Sequence, residues 1–530
     1  MSNRGKVLVL LVAIGIAAGL ALSVKKRDSA GTADAPTLEA RRLLAEAGFP
    51  EGKGFPKLKL LYNTSESHKQ IAATYQEMWR SRLGLEIELQ NMEWKVFLGE
   101  LQKGNYEIGR RGYFGEYLDP HALLSLFRSD SQYNSTGWNS KEFDDLLSAS
   151  DEETDPVKRY ALLAKAEKLL IDDGPLILSH HYEAHNMIKP FVKGVHLNQR
   201  DIHPLQGVTL EGPGRPDDGT LIMHGGAEPS SLDPALATDL VGLKLIMHLF
   251  EGLVIYNPVD ASPMPGVAEK WDLSPDGRVY TFHLREARWT NGDPVTAGDF
   301  VYSWRRALDP KTASLYAYRL YELAGARQVA SGAAPPESLG VRAVDDKTLE
   351  VRLEHRAPYF LQLLCLHIYM PVHRPTVEKH GNEWARAGNM VTNGPYRLVE
   401  ERLKVRKVFE KSPTYRDAAN VKLARFSVLM GDDLETAFRM YEGGQCHWLY
   451  SVPLPLVQAV LGRPDSYKNQ INGTFFYTFN LRKKPLDDVR VRRALTMVLD
   501  REKVVKYILS GGGTPAQRLT PPLYPGYEVK

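Results

Sequence analysis

The sequence predicts an α/β protein with more than one domain, and three observations lead to that prediction. The chain has 530 residues, which is too long for one ordinary hydrophobic core. Strand-like and helix-like patterns alternate between residues 57 and 112, and many short strand patterns separated by turns follow residue 219. With 67 basic and 64 acidic residues, the near balance of charge gives no electrostatic case for binding nucleic acid.

The first 31 residues are predicted to be a signal or membrane-anchor segment. Arg4 and Lys6 precede an uncharged, mostly apolar run over residues 7–24, and three basic residues follow it at 25–27. The run is longer than most cleaved signals and barely long enough to span a bilayer, so a cleaved signal and an uncleaved anchor both remain open. Either reading predicts a periplasmic or extracytoplasmic location.

Residues 57–112 are predicted to form a strand, a helix, a strand, a helix and a strand, in that order. "KLKLLYN" (57–63), "LEIELQN" (85–91) and "YEIGRRG" (106–112) alternate as strands, while residues 65–83 and 93–103 carry apolar side chains at helical spacing. Gly104 is expected to end the second helix, and Asp155 with Pro156 is expected to start a later one. Elements of these lengths predict right-handed crossovers and a mainly parallel sheet.

The sequence pattern changes to many short strands and turns after the bridge "EGPGRPDDG" (211–219). Turn signals at Asn291-Gly292 and Asn393-Gly394 separate short alternating runs. Helices are predicted near 297–307, 433–443 and 487–508. The two cysteines, Cys365 and Cys446, are too few for a disulfide framework. Separate buried thiols are favoured over a bridge between them.

Several long segments carry a family resemblance. They include "EPSSLDPA", "LFEGLVIYN", "YTFHLREARWTNGDPVTAGDFVYSWRRALDP", "NMVTNGPYRL", "PLDDVRVRRAL", "EARRLLAEAGFP", "QNMEWKVFL" and "DPVKRYALLAKAEKLL". They resemble bacterial solute-binding protein family 5, the periplasmic oligopeptide-binding proteins of ABC transporters. The resemblance implies a two-lobed periplasmic binding protein of type II with an extra subdomain, which holds short peptides between its lobes. It further implies a monomeric protein that is not an enzyme, needs no cofactor and partners ABC transporter permease subunits in the membrane.

The order of these segments differs from the family's. Segments found here at 220–530 come first in the family, and those found here at 36–208 come second. The resemblance therefore predicts a circular permutation in which residues 211–219 join the family's usual termini; a fusion of two truncated genes remains open. Lobe two is expected to comprise residues 32–182 and 473–530, and lobe one residues 183–472 with the extra subdomain.

The resemblance also assigns binding residues around "GRRGYFGEYLDP" (109–120). Glu116 stands where the family has an aspartate that pairs with the ligand's ammonium group. Arg110 matches an arginine that meets the carboxylate of shorter peptides, and His68 matches a position used for longer ones. The other predicted substrate-binding residues are Asn63, Trp94, Gly112, Tyr113, Phe114, Tyr182, Tyr321, Tyr450 and Phe476.

The stretch "SHHYEAH" (179–185) leaves a further possibility open. Strand alternation would put His181, Glu183 and His185 on one face, where they could bind a transition metal; polar lining of a pocket is the favoured reading, and no metal is predicted. Two alternative functions also stay open, a peptide sensor or holdase without transport and a peptide hydrolase. The hydrolase is disfavoured because the sequence has no HExxH or GxSxG motif.

Overall fold

The computed structural model describes residues 34–530. The predicted signal or anchor segment, residues 1–31, lies outside these residues. Within residues 34–530 no helix is both long enough and apolar enough to cross a membrane. The described part mixes helices and strands throughout, in agreement with the predicted α/β class.

The strands, in chain order, are β1 (Leu58–Asn63), β2 (Ile87–Met92), β3 (Ile108–Phe114), β4 (Leu176–Ile188), β5 (Val192–Lys193), β6 (Thr209–Leu210), β7 (Thr220–Gly226), β8 (Val254–Tyr256), β9 (Pro263–Pro265), β10 (Ala268–Leu273), β11 (Val279–Leu284), β12 (Val341–Asp345), β13 (Thr348–Arg352), β14 (Tyr396–Arg402), β15 (Arg406–Lys411), β16 (Arg425–Met430), β17 (Trp448–Leu449), β18 (Ser466–Phe479) and β19 (Gly513–Pro515). The largest sheet has the order β14-β15-β16-β7-β17-β4-β18-β3-β1-β2, with β19 beside β4. A four-stranded sheet, β10-β11-β13-β12, and the pairs β5-β6 and β8-β9 complete the topology of the described residues.

The α-helices, in chain order, are α1 (Ala35–Glu46), α2 (Glu66–Leu83), α3 (Trp94–Lys103), α4 (His121–Leu124), α5 (Lys141–Glu152), α6 (Pro156–Asp173), α7 (Leu240–Leu249), α8 (Ala297–Leu308), α9 (Ala326–Ala330), α10 (Phe360–Leu363), α11 (Arg374–His380), α12 (Leu434–Glu442), α13 (Val457–Val460), α14 (Val489–Met497) and α15 (Arg501–Lys503). Short 3₁₀ turns occur between them, one of which, Ala317–Leu320, contributes to the candidate site.

The region from β1 to β3 has the predicted order of elements. β1 pairs in parallel with β2 and β3, and α2 and α3 make the connections. The Glu93 side chain caps α3 by accepting from the backbone N–H of Lys95 at 2.8 Å. Gly104 ends the helix in the left-handed conformation, with φ 71°, which glycine adopts without steric cost. These local signals therefore produced the expected helix boundaries.

The wider sheet is mixed: β7 also pairs in parallel with β16 and β17, but the other pairs are antiparallel, so the prediction of a mainly parallel sheet is wrong for the sheet as a whole. Strand β18 lies between β3 and β4 and pairs antiparallel with both. It comes from a much later part of the chain, and a pattern read within residues 57–112 could not predict its insertion. Sequence periodicity identifies a strand but not its distant neighbour.

Strands β4 and β18 are the longest of the described strands and cross the molecule side by side. Their pairing is interrupted where Gln470 faces Glu183 and the next paired residues are Thr474 and His181. Three residues of β18 thus stand opposite Tyr182 alone, which makes a bulge. The interruption coincides with the two positions, near Tyr182 and Gly473, at which the resemblance places the crossings between lobes.

The buried core is divided along these strands. One core cluster combines residues 40–108 and Ile177 with most buried residues of 475–509, and a second combines residues 123–178 and Phe476 with residues 516–527. The largest cluster is formed by residues between 188 and 448, joined by Tyr117 and Ala122. Residues from the two ends of the described chain therefore share cores with each other rather than with its middle.

The predicted helix over 487–508 is wrong as one element. It is broken into α14, the short α15 and a π-helix at Val504–Ile508. Asp500 causes the restart, because its side chain accepts a hydrogen bond from the Lys503 backbone N–H at 2.9 Å. An aspartate used as an N-cap begins a new helix instead of continuing the old one.

The two cysteines are separate. Cys365 and Cys446 are both buried and free of any disulfide, as the sequence predicts. Burial raises the pKa of the Cys446 thiol to about 11, so this thiol is protonated near neutral pH. Low thiolate content makes a buried cysteine chemically inert.

Candidate ligand-binding site

Strand β3 and the loop after it carry five of the predicted binding residues, Arg110, Gly112, Tyr113, Phe114 and Glu116. Side chains alternate between the two faces of a strand. Arg110, Gly112 and Phe114 therefore share one face, and Tyr113 lies on the other. The structure accordingly divides the predicted residues between the two faces of β3.

The first group, the Arg110 cluster, consists of Asn63, His68, Arg110, Gly112, Phe114, Tyr182 and Phe475. Arg110 Nη2 donates to Tyr182 Oη at 3.3 Å, and Arg110 Cζ lies 4.7 Å from the centroid of the Phe475 ring. Within residues 34–530, Arg110 Nε has no hydrogen-bond partner. A cation that rests on an aromatic ring and keeps an unused donor is available to an anionic ligand group.

His68 adds hydrogen-bonding capacity to this cluster without adding charge. Its Nδ1 atom lies 3.4 Å from the backbone oxygen of Asn63, and its ring centroid lies 5.5 Å from that of Phe475. Burial, followed by the charge of the nearby Arg110, lowers the pKa of His68 to about 4. His68 is therefore neutral near pH 7, which leaves Arg110 as the cation of the cluster.

Two glycines allow the aromatic side chains to pack against β3 and β18. A Cβ atom at Gly112 would collide with Tyr182 Oη and would lie 3.2 Å from Arg110 Nη2. A Cβ atom at Gly473 would lie 2.6 Å from Phe114 Cδ1. Gly112 thus takes part in the site through close approach of its backbone rather than through a side chain.

Phe476 does not join the Arg110 cluster. Its side chain is 3% exposed and packs into a core cluster, with its ring centroid 6.0 Å from that of Phe127. The preceding residue, Phe475, contacts Arg110 instead. A shift of one residue along a strand moves the side chain to the opposite face, so Phe475 lies on the face of Arg110 and Phe476 on the face of Tyr113. The assignment of Phe476 as a binding residue stays a prediction.

The second group, the Glu116 cluster, consists of Tyr113, Glu116, Tyr133, Tyr318 and Arg319. Glu116 Oε2 forms an ion pair with Arg319 Nε, and both side chains are largely buried. Arg319 Nη2 donates to Tyr113 Oη, and Arg319 Cζ lies 4.5 Å from the centroid of the Tyr318 ring. Burial would lower the pKa of Arg319, but Glu116 and the surrounding tyrosines together outweigh it, and the pKa lies well above its usual value.

Asn472, at the interruption in β18, fixes the backbone on both sides of Glu116. The Gly115 N–H donates to the Asn472 backbone oxygen at 2.7 Å. Asn472 Nδ2 donates to the Tyr117 backbone oxygen at 2.8 Å, and Asn472 itself is almost completely buried. The position of the Glu116 carboxylate is therefore set from the crossing strand.

A cavity of about 560 Å³ adjoins the Glu116 cluster and has Tyr133, Tyr318 and Arg319 in its wall. The predicted binding residue Tyr321 also lines this cavity. Arg327 Cζ lies 4.9 Å from the centroid of the Tyr321 ring. Tyr321 is thus close to the candidate site, on the side of Glu116 rather than of Arg110.

Two pairs of titratable groups line the same cavity. His121 Nε2 lies 3.6 Å from Asp151 Oδ1, and His355 Nε2 lies 3.1 Å from Glu322 Oε2. Burial, followed by the charge of Glu322, raises the pKa of Asp151 to about 7. Asp151 Oδ1 has no hydrogen-bond partner within the described chain, so this buried oxygen is free to accept one.

Trp94 and Tyr450 are not brought to either cluster. Trp94 opens α3, is 48% exposed and stacks on Phe97 at 5.9 Å between centroids. Tyr450 packs 4.9 Å from the ring of Trp448, with Lys244 Nζ 4.6 Å from the centroid of its own ring. Their assignment as binding residues stays a prediction without support from these contacts.

Sequence reasoning missed three residues that the structure adds. Phe475 supports Arg110, and His180 stacks on Phe475 at 4.9 Å between centroids. Arg319 stands within "YAYRLY" (316–321), and an arginine among tyrosines was a detectable signal. Phe475 could have been found only with the register of β18 against β3, which the sequence does not contain.

Within "SHHYEAH", His185 Nε2 lies 3.9 Å from Glu183 Oε2, while Glu183 and His181 have partners outside the stretch. Lys468 Nζ lies 2.8 Å from Glu183 Oε2, Thr514 Oγ1 donates to Glu183 Oε1 at 2.9 Å, and His181 Nδ1 lies 2.9 Å from Thr474 Oγ1. In the part of the chain that the structure describes, no group of three or more histidine, cysteine or acidic residues is placed to hold a metal ion.

The chain belongs to a known family. The family model described as "Bacterial extracellular solute-binding proteins, family 5 Middle" matches residues 20–135 and 262–530. This finding confirms the resemblance that the sequence segments indicated. The family is one of binding proteins, which agrees with a site that has charged and aromatic groups for holding a ligand.

Named relatives agree with this membership. The chain is 37% identical over 331 residues to the oligopeptide-binding protein OppA of Bacillus subtilis (strain 168), covering 61% of this chain and 61% of the relative. It is 40% identical over 329 residues to the periplasmic oligopeptide-binding protein OppA of Escherichia coli (strain K12), covering 61% and 59%. The chain thus spans about three fifths of the length of these curated relatives.

A solved structure supports the fold. The Escherichia coli murein tripeptide binding protein MppA is 37% identical, with a TM-score of 0.52 over 57% of this chain and 60% of that one. Together with the family match, this likeness confirms the mixed α/β fold of a periplasmic solute-binding protein.

Proposed function

We propose that this protein is an extracytoplasmic receptor that captures short peptides between two lobes and delivers them to an ABC-type peptide importer in the membrane. Membership of a solute-binding family supports the proposal, as do relatives named for oligopeptide binding. The charges of the site support it independently, because Arg110 and Glu116 offer opposite charges to one ligand. Short peptides carry both an ammonium and a carboxylate group.

The observation that carries the proposal is the unpaired edge of β3. β1 pairs with β3 at Ile108 and Gly109, whereas β18 pairs with the other edge as far as Phe114. From Arg110 to Phe114, one edge of β3 therefore has no strand partner within residues 34–530. An extended peptide can add to such an edge as a further strand, with main-chain hydrogen bonds that do not depend on its sequence.

The charged residues stand at the two ends of this edge. Arg110 lies at its start and Glu116 just beyond its end, so a bound peptide would run antiparallel to β3, with its carboxylate at Arg110 and its ammonium at Glu116. At about 3.3 Å per residue, the edge from Arg110 to Phe114 spans roughly 13 Å, which is about the length of an extended tetrapeptide. Charge-assisted hydrogen bonds at both ends would fix the position of the ligand.

Mass spectrometry of material released from the purified, denatured protein tests the proposal. We expect intact peptides of a few residues with varied sequences. Release from wild-type protein but not from a Glu116→Ala, Arg110→Met double variant would locate them in this site. Recovery of no peptide would contradict capture, and conversion of added peptides to fragments would identify a hydrolase instead.

We also propose the lobe composition that the resemblance implies, with residues 32–182 and 473–530 in lobe two and residues 183–472 in lobe one. The separate core clusters support it. Residues 211–219 would then join the family's usual termini, and their exposure in a turn supports that role. Limited proteolysis within 211–219, followed by size-exclusion chromatography, tests the permutation: one compact species is expected, and two dissociating fragments would contradict it.

A further inference from the structure

The carboxylate that the proposed function assigns to the ligand's ammonium already holds a cation. Glu116 Oε2 is paired with Arg319 Nε, and the two side chains are 14% and 13% exposed. The backbone of Arg319 is held independently of its side chain, because Tyr369 Oη donates to the Arg319 backbone oxygen at 2.7 Å. Departure of the guanidinium from Glu116 would therefore be a rotation of the side chain rather than a movement of the main chain.

The surroundings of this guanidinium are those of a cation-binding site. Tyr133 Oη donates to Tyr318 Oη at 2.7 Å, and the ring centroids of Tyr113 and Tyr133 lie 5.8 Å apart. Arg319 Cζ lies 4.5 Å from the centroid of the Tyr318 ring. A carboxylate within a group of aromatic faces attracts ammonium and guanidinium groups alike. Arg319 thus occupies a place that a ligand amine could fill.

We propose that Arg319 is an internal competitor of the ligand's ammonium group, so that a peptide reaches Glu116 only by displacing the Arg319 guanidinium. This inference rests on the proposed function. Affinity would then depend on how well the ligand's cation replaces the guanidinium at Glu116. Ligands without a free amino group would leave Arg319 in place and gain nothing from Glu116. Arg319 would therefore determine specificity for free amino termini.

The adjoining cavity can receive the displaced side chain. Its volume is about 560 Å³, and Arg319 is part of its wall. Asp151 and Glu322 also line it; Asp151 Oδ1 has no hydrogen-bond partner within residues 34–530, and Glu322 Oε2 lies 3.1 Å from His355 Nε2. Carboxylate oxygens there would pair with the guanidinium, so displacement would not leave a buried charge without a partner.

Calorimetry with two probes, tetra-alanine and N-acetyl-tetra-alanine, tests this inference. Arg319→Met removes the competing charge and keeps much of the side-chain volume. The matched control is Arg342→Met, because Arg342 forms an Arg–Glu pair with Glu350 at 2.8 Å on the surface of the four-stranded sheet. Circular dichroism and thermal unfolding establish that each variant is folded.

Arg319→Met is expected to lower the Kd for tetra-alanine at least tenfold and to leave the Kd for the acetylated peptide unchanged. Arg342→Met should change neither value. In the double variant Glu116→Gln, Arg319→Met, the gain should disappear, since no carboxylate remains to hold the amine. If Arg319→Met does not fold, Arg319→Lys, which forms a weaker pair with Glu116, should show a smaller gain confined to tetra-alanine.

The experiment distinguishes failure of this inference from failure of the proposed function. If wild type binds tetra-alanine and the Arg319 variants bind it equally or more weakly, Arg319 is not a competitor and the inference is overturned. An equal gain for both peptides also overturns it, because the effect would not depend on the amine. If wild type and all variants bind neither probe and release no peptide on denaturation, the proposed function itself fails.

Discussion

The Arg110 cluster and the Glu116 cluster flank the same strand but differ in whether their charge is free. Arg110 rests on the Phe475 ring and keeps a donor nitrogen without a partner in the described chain. Glu116 is paired with Arg319. The Arg110 cluster can bind a ligand carboxylate directly. At the Glu116 cluster, a ligand ammonium must first displace the Arg319 guanidinium. The two ends of a peptide would thus be recognised by different physical processes.

Removal of the Glu116 carboxylate should weaken ligand binding more than any other change considered. In Glu116→Ala a ligand ammonium would have no partner and would face the unpaired Arg319, which costs about 2 to 5 kcal/mol of binding free energy. Calorimetry with tetra-alanine measures the loss, and circular dichroism should show an intact fold. Glu350→Ala, which breaks the exposed pair with Arg342, is the control. Unchanged affinity in Glu116→Ala would refute the assignment.

Removal of the Arg110 charge should have a smaller effect, limited to the other end of the ligand. Arg110→Met loses a hydrogen bond to a charged group, which is worth about 1.5 to 3 kcal/mol. Binding of tetra-alanine should weaken by that amount, and binding of its C-terminal amide should change little. Equal losses for both peptides would mean that Arg110 does not contact the carboxylate and acts only through packing.

The pKa of His68 tests whether Arg110 is the cation of the Arg110 cluster. NMR titration should give a pKa of about 4 for the His68 ring. Arg110→Met should raise that pKa but leave it below 6.5, because burial is the larger cause. Since the unfolded chain takes up the proton first, the stability that neutral His68 provides is lost as pH falls from about 6.5 to about 4. A pKa near 6.5 in wild type would contradict a buried His68.

The bridge at 211–219 should have the smallest effect, since it contributes no residue to either cluster. Replacing Pro213 or Pro216 with glycine adds freedom mainly to the unfolded chain and should cost no more than about 1 kcal/mol of stability. Chemical denaturation measures this, and affinity for tetra-alanine should stay unchanged. A larger loss, or altered binding, would show that these residues support the fold around the site.

The sequence predicted the elements whose signals are local. Glu93 and Gly104 mark the ends of α3, and Asp155 starts α6, because caps act within a few residues. The same reasoning placed Arg110 and Glu116 on one strand and its loop. It did not single out Phe475, because the face depends on the register of β18, and it gave no sign that Arg319 would pair with Glu116. Both features are contacts between distant parts of the chain.

The interruption between β4 and β18 has a mechanical consequence. Three residues of β18 stand opposite Tyr182 alone, so a twist at this point deforms backbone that the ladder between β4 and β18 does not hold. Asn472 lies within the interruption and holds Gly115 through a hydrogen bond of 2.7 Å. A torque that turns one core against the other would be transmitted through this bond to the loop of Glu116. Closing on a ligand and repositioning that carboxylate would then be a single mechanical event.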